Sequence, residues 1–250
     1  MKIFIPTKDR PWQDQHTVFA IRAAEQYQMK KYPVALVVET EQEAYNLREL
    51  KLPIHVTGVA GISAARQWIL DHTDDEKVLM LDDDLSSWAL RSGDGRYLKS
   101  TSAPAVAFEQ IEDLLGNYAH AGIGHRQFAN GKPLYAHCER MLRALGYRAD
   151  VLKAAGIRYT LPLMEDFEMT LRLLTRGFAN AVYYGVVQDQ AMSGAPGGCT
   201  AIRTLELHNQ CAEKLAEMFP QYVKTKQVEG WELGIRTDVS VQWKRAYHGK

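Results

Sequence analysis

Short apolar runs alternate with helix-spaced stretches through the first third of the chain. Residues 3–6 read as a strand, followed by a helix over 15–29 whose Val18, Ile21, Ala24 and Tyr27 share one stripe. PVALVVE at 33–39 is a continuous apolar strand and 41–50 a charged helix. A short strand at 54–57 and a helix over 62–70, beginning beside Gly61, come next. KVLML at 77–81 is again a buried strand. Uninterrupted Val/Ile/Leu runs separated by helices predict a parallel sheet covered on both faces.

Beyond Asp84 the pattern loosens. Gly93-Asp94-Gly95 predicts a hairpin turn, 106–120 a helix, and 124–136 a strand or an irregular segment. Residues 164–176 form a strongly amphipathic helix with Phe167, Leu171 and Leu174 on one side. A strand over 180–187, a small-residue loop SGAPGGCT at 193–200 and a helix over 203–218, stopped by Pro220, complete the reading. There is no repeat, low-complexity tract or linker, so one domain over 1–250 is expected.

With 250 residues, 46% of them hydrophobic, the chain can bury a sizeable core. Thirty basic side chains balance thirty acidic ones. That excludes nucleic-acid binding by bulk charge and leaves only a local basic patch. No apolar run is long enough to cross a bilayer. The opening MKIFIPT enters a strand at once, and no signal peptide is expected. Cys138, Cys199 and Cys211 are an odd number at spacings that match no zinc motif, and a cytoplasmic location is expected.

The first chemical signal is KVLMLDDD. Alternation along a strand puts Asp82 and Asp84 on one face and Asp83 on the other. They fall at the carboxyl end of a buried strand, where open α/β sheets place their ligand crevice. Adjacent carboxylates repel one another unless a cation joins them, and a hard divalent ion with a diphosphate meets that need. The plain alternative is a solvated acidic turn.

VLMLDDD resembles the DxD-containing strand of GT-A-fold glycosyltransferases, and FIPTKDRP at 4–11 is similar to the first strand and turn of their family-2-like members. Glu39 falls where such enzymes place an acid near the nucleoside, and GISAAR at 61–66 resembles their helix before the DxD strand. MEDFEMTLRLL at 164–174 resembles their second motif, an acidic pair opening a helix. The resemblance implies an α/β, GT-A-like (Rossmann-like) fold with a mainly parallel central sheet flanked by helices. It also implies a nucleoside-diphosphate-sugar donor (a UDP-sugar), Mn2+ or Mg2+, and inversion at the anomeric carbon. Pro6, Thr7, Arg10, Glu39, Arg66, Asp82, Asp83 and Arg203 are then expected at the donor, and Asp82 and Asp84 at the metal. Asp166, ahead of Glu165, is expected to be the catalytic base. Residues 1–100 become the nucleotide-sugar half and 101–250 the acceptor half. The loop at 192–203 is expected over the donor, and His208 or His248 could complete the metal site. Each residue has an ordinary reading too. Arg10 can be a surface charge, Glu39 a helix-capping acid, Arg66 an exposed helix position, and Glu168 with Arg172 an i,i+4 surface pair.

Charge is unevenly spread. Residues 125–158 hold seven Lys/Arg against two Asp/Glu, residues 74–94 two against seven, and residues 221–250 six against three. A basic half beside an acidic strand end suits a polyanionic acceptor, with Arg126, Arg140, Arg143 and Arg148 on its phosphates. Trp88 is then a stacking partner for a sugar or base, Trp231 and Trp243 lie in a basic tail, and Trp68 is core. The triple Asp, IPTKDRP and GAPGGCTAIRT together resemble small phage-type glycosyltransferases associated with TET-like oxygenases, which sugar-modify hydroxymethylated pyrimidines in DNA. That resemblance implies DNA as acceptor and no membrane partner. The alternatives are a small-molecule, glycan or lipid-linked acceptor, a nucleotidyltransferase or phosphohydrolase, and a non-catalytic binding module. The absence of glycine from the TKDRP turn counts against the nucleotidyltransferase.

Overall fold

The computed structural model describes residues 1–27, 32–190, 204–231 and 234–248. Four parallel strands open the chain: β1 (Lys2–Pro6), β2 (Val34–Val38), β3 (Ile54–Val56) and β4 (Lys77–Leu81). They are joined by α1 (His16–Glu25), α2 (Glu41–Leu47) and α3 (Ile62–His72). Alternate residues of one strand feed opposite layers. Phe4, Ala35, Val37, Val78 and Met80 join Ile69 and Leu70 of α3 in one apolar cluster. Ile3, Ile5, Leu36, Leu79 and Leu81 join Val18 and Ile21 of α1 in the other. Apolar residues at every strand position are therefore required, because both faces are covered.

The sheet order is β3-β2-β1-β4-β9-β7-β10-β5-β6. Strand β9 (Ala144–Arg148) runs antiparallel between β4 and β7 (His120–His125), and β10 (Asn180–Asp189) lies parallel to β7. Strands β5 (Ser87–Arg91) and β6 (Tyr97–Lys99) form the hairpin expected around Gly93–Gly95, while β8 (Tyr135–His137) pairs with β10. The sheet is thus mixed, with its parallel strands concentrated where the sequence indicated. Helices α4 (Ala103–Leu114), α5 (Ala149–Ala154), α6 (Glu165–Thr175) and α7 (Leu205–Met218) pack around it.

One expected element is corrected, and two that the sequence reading left unassigned appear. The helix read over 106–120 is α4, which starts earlier at Ala103 with proline in its first turn and stops before Gly116; His120 already opens β7. Strand β9 went unread because Gly146 interrupts its apolar pattern. A Cβ there would lie 2.6 Å from Ile111 Cγ2 and 2.8 Å from the Ala121 carbonyl, so close packing against α4 and β7 demands glycine. The basic tail is a hairpin, β11 (Val223–Trp231) and β12 (Gly234–Val241), followed by α8 (Trp243–His248). Val223, Val239 and Ala246 close a third apolar cluster with Leu171 and Leu174 of α6 and Leu215 of α7. Among the described residues, no helix is long and apolar enough to cross a membrane.

Candidate active site

Strand β4 delivers the three aspartates to the carboxyl end of the parallel sheet, and the backbone fixes them there. The Asp82 N–H donates to the Arg143 carbonyl at 2.9 Å, and Thr17 N–H to the Asp83 carbonyl at 3.2 Å. Asp83 points back into the protein, where its carboxylate takes the Thr7 hydroxyl and lies 2.9 Å from Arg10 Nε. Gln15 Nε2 in turn donates to Thr7 Oγ1 at 2.8 Å. Arg10 also reaches Asp84 Oδ2 at 3.5 Å. Arg10 is thus a buried partner of the acids and not a surface charge. Pro6 ends β1 in this group, in register with Val37 of β2.

Arg66 is the link between the two acidic motifs. Its guanidinium, only 3% exposed, donates from Nη2 to Asp82 Oδ1 at 2.7 Å and from Nη1 to Glu165 Oε1 at 2.6 Å. Burial opposes its charge, but Asp82 and Glu165 hold it well above its usual pKa. The exposed-helix reading of Arg66 is therefore wrong. Burial pushes Asp83 up to about 6 against the pull of Arg10 and Thr7. Burial also raises Asp82, helped by the Asp84 charge, and raises Glu165 beside Asp166.

Helix α6 starts from Met164 in the left-handed region, φ 59°, which turns Glu165 and Asp166 into the site. Acids in this first turn suit the helix dipole. Arg140 covers Asp166, with Nε at 2.8 Å and Nη2 at 2.7 Å from Oδ2, and lies 3.7 Å above the Phe167 ring. Glu168 is not part of a surface pair. It is fully buried and accepts the Thr160 and Leu161 N–H groups at 2.8 Å each, besides Arg172 Nε at 2.8 Å. Glu39 pairs with Lys8 at 2.9 Å at the end of β2, and the acid that caps α2 is Glu43.

The expected basic surface does not exist as one patch. Arg148 forks onto Asp150 at 2.9 and 2.6 Å and faces Lys77 in register, at the end of the sheet opposite the aspartates. Arg126 lies over the Tyr97 ring at 5.2 Å. Arg143, at φ 67°, donates to His125 Nε2 at 2.5 Å and lies 3.8 Å from Asp189 Oδ1. Burial and the Arg143 charge push His125 down to about 4, so it is neutral at pH 7. Trp88 is core: it is buried edge-on against Phe108 and donates to the Leu85 carbonyl at 3.3 Å. Arg203 and the loop at 192–203 lie outside the described residues, as does the side chain of His248. His208 sits in α7, which packs on the β11–β12 hairpin.

Beside Arg140 and Phe167 opens a cavity of about 880 Å³, walled by β7, the segment before β9, and the start of α8. Sequence reading missed His125, Asp189 and this cavity. His125 meets Asp189 because β7 pairs with β10, and the cavity also needs α8, neither of which a local pattern signals.

The family model for TET-Associated Glycosyltransferase matches residues 1–198. The chain belongs to the TET-associated glycosyltransferase family. It is a glycosyltransferase. Among curated relatives, two beta-glucosyl-HMC-alpha-glucosyl-transferases are each 25% identical. The one from Enterobacteria phage T6 aligns over 84% of this chain and 80% of its own length, and the one from phage T2 over 85% and 81%. Among solved structures, the mannosyltransferase PcManGT from Pyrobaculum calidifontis, in complex with GDP-Man and Mn2+, superposes with a TM-score of 0.59 at 15% identity. The match covers 86% of this chain and 64% of that one. Glucosyl-3-phosphoglycerate synthase from Mycobacterium tuberculosis, with Mn2+, UDP and glucosyl-3-phosphoglycerate, gives 0.52 at 11%, covering 94% and 88%. These establish the GT-A fold. In this TET-associated glycosyltransferase the matched span contains both acidic motifs and their arginines, whereas α7, the hairpin and α8 lie beyond it.

Proposed function

We propose that the protein transfers a sugar from a nucleoside-diphosphate sugar, a UDP-sugar, to the hydroxyl of a hydroxymethylated pyrimidine in DNA, with inversion at the anomeric carbon. The observation that carries this reading is Arg66, whose one guanidinium ties Asp82 to Glu165. A donor at the strand end and a base on α6 are thereby held in fixed relation. Solved neighbours of the same fold bound to UDP-GlcNAc, GDP-Man or UDP support the donor class. The phage T6 and T2 relatives, whose name describes glucosyl transfer on glucosylated HMC, support a modified pyrimidine. In this reading residues 1–100 form the donor half and 101–250 the acceptor half.

The residues fit a divalent cation. Asp84 Oδ1 is buried with no hydrogen-bond partner. Among the described residues, the carboxylates of Asp82, Asp83, Asp84, Glu165, Asp166 and Asp189 are ion-paired with four guanidiniums, those of Arg10, Arg66, Arg140 and Arg143. The network therefore keeps an excess of negative charge. No group of three or more His, Cys, Asp or Glu among the described residues is set to hold a metal. Mg2+ or Mn2+ carried by one or two carboxylates and substrate phosphates needs no third protein ligand. Asp84 and Asp82 would hold it, and it would supply positive charge against the departing diphosphate.

The chain's own residues do the rest. Thr7, Arg10 and Asp83 fasten the turn after β1 against β4, with Pro6 beside them; Glu39 offers an acceptor to the nucleoside. Arg66 keeps Asp82 in place. Asp166 takes the proton from the attacking hydroxyl at Oδ2 once Arg140 moves aside for the acceptor. Glu165 stays bound to Arg66, which favours Asp166 as the base.

The test is sugar-nucleotide turnover by purified wild type and Asp84→Ala, with Mn2+ and with EDTA. Loss of donor turnover in Asp84→Ala, with an unchanged circular-dichroism spectrum, is expected, as is loss with EDTA. Full turnover by Asp84→Ala would remove the assignment. Release of pyrophosphate from nucleoside triphosphates without sugar-nucleotide consumption would favour a nucleotidyltransferase instead.

A further inference from the structure

The cavity beside Arg140 is lined by four aromatic side chains, Phe128, Phe167, Tyr184 and Trp243, and by four cations, Lys132, Arg140, Lys244 and Arg245. Glu139 is the one acid among its lining residues, and it is paired with Lys132 at 2.5 Å. Phe167 and Trp243 lean together at 5.6 Å between ring centroids, and Arg140 lies on the other ring contact of Phe167, at 3.7 Å. Phe128 is half exposed and tilted 5.3 Å from His125. Lys244 and Arg245 stand exposed on the first turn of α8.

Two physical facts select an occupant. Aromatic walls stack on planar rings, and a cationic rim attracts phosphates. The cavity also touches the site just described, because Arg140 covers Asp166 and Phe167 follows it in α6. A group that displaces Arg140 from the cavity wall therefore comes to lie beside Asp166. A recess of about 880 Å³ takes one nucleotide and not a duplex, so the base enters only out of the helical stack.

We infer that this cavity is the acceptor site, in which Phe128, Phe167 and Trp243 hold one extruded or single-stranded modified pyrimidine while Lys132, Lys244 and Arg245 bind the phosphates flanking it. The inference rests on the proposed DNA acceptor and goes further by naming the residues that hold it. It also gives α8 and the hairpin, which lie beyond the family match, the task of completing the acceptor wall. Arg140 then exchanges Asp166 for an acceptor phosphate, which uncovers the base only when the acceptor is present.

The experiment compares wild type, Trp243→Ala and the double variant Lys244→Glu/Arg245→Glu. Three quantities are measured: transfer to hydroxymethylated DNA, transfer to the free hydroxymethyl nucleoside, and slow hydrolysis of the sugar nucleotide without acceptor. Trp243→Ala should lower kcat/KM for both acceptors roughly ten- to a hundredfold, the range of one lost base–aromatic stack. The double variant should weaken DNA alone and flatten its salt dependence by about two in the log–log slope. Both should hydrolyse the donor at the wild-type rate. The double variant changes exposed side chains only, so it answers even if Trp243→Ala unfolds. Wild-type transfer and salt slope in the double variant would overturn the cavity while leaving the DNA reading intact. Donor consumption by the wild type with no transfer to any hydroxymethylated DNA would overturn both.

Discussion

Asp83 shows how a single side chain in a repeated motif acquires its own chemistry. Its neighbours Asp82 and Asp84 face the crevice, whereas Asp83 turns inward onto Thr7 and Arg10. Burial lifts its pKa from an ordinary 3.8 to about 6. Between those values the native protein holds a proton that the unfolded chain has released, so stability falls as pH rises through about 6. His125 and His120, pushed down by burial to about 4 and about 3, act in the opposite direction, adding stability as pH climbs toward the ordinary histidine value. Both histidines remain in Asp83→Asn and cancel in the comparison. The stability of Asp83→Asn relative to wild type should therefore improve by up to about 3 kcal/mol between pH 4 and 7, the equivalent of two pKa units. Urea denaturation at several pH values measures it, and a pH-independent difference would show that Asp83 does not titrate there.

Helix α2 does more than connect two strands. Thr40 and Glu43 form a reciprocal capping box at its start. Glu43 Oε1 also accepts the N–H of Asp9 at 3.2 Å, a residue held at φ 51°, and lies 3.3 Å from Lys8 Nζ. The first turn of the helix thereby anchors the turn that carries Thr7 and Arg10 to the aspartates. Glu43→Ala should cost about 1–2 kcal/mol, the range for a lost cap, and should raise the donor KM more than it lowers kcat. Glu43→Gln keeps an acceptor for the cap and should fall between the two. A change confined to stability, with KM untouched, would separate the helix from the donor turn. The sequence spells out this box as Thr-x-x-Glu, and Glu43, not Glu39, is the acid that caps the helix.

At the scale of the molecule, donor binding should couple to global stability, because the acids and arginines join β1, β4, α3 and α6. A ligand at a hundred times its Kd adds about 2.7 kcal/mol, and for a chain of this size about 2–4 °C in Tm per kcal/mol. UDP with Mn2+ should raise Tm by about 5–10 °C, and UDP alone by clearly less. Equal shifts with and without Mn2+ in a thermal scan would argue against the cation.

Local patterns settled the parallel half of the fold. Residues such as Leu79 and Met80 are apolar because both faces of β4 are covered, and that demand is written continuously along the chain. The strand end also had to carry Asp82 to Asp84, and the acids of α6 were visible as a pair at a helix start. Tertiary structure decided what those charges meet. Arg66 and Glu165 lie 99 positions apart, and only the folded chain brings Arg66 of α3 to the first turn of α6. Arg140 and Arg143 looked like free phosphate ligands in a basic stretch, yet folding turns one onto Asp166 and the other toward His125 and Asp189. Trp88 follows the aspartates in sequence but points into the core, whereas Trp243 comes from the far end of the chain to the cavity. Periodicity encodes which face of an element is buried; which distant side chain stands opposite is set by the crossing of elements, and no local spacing carries it.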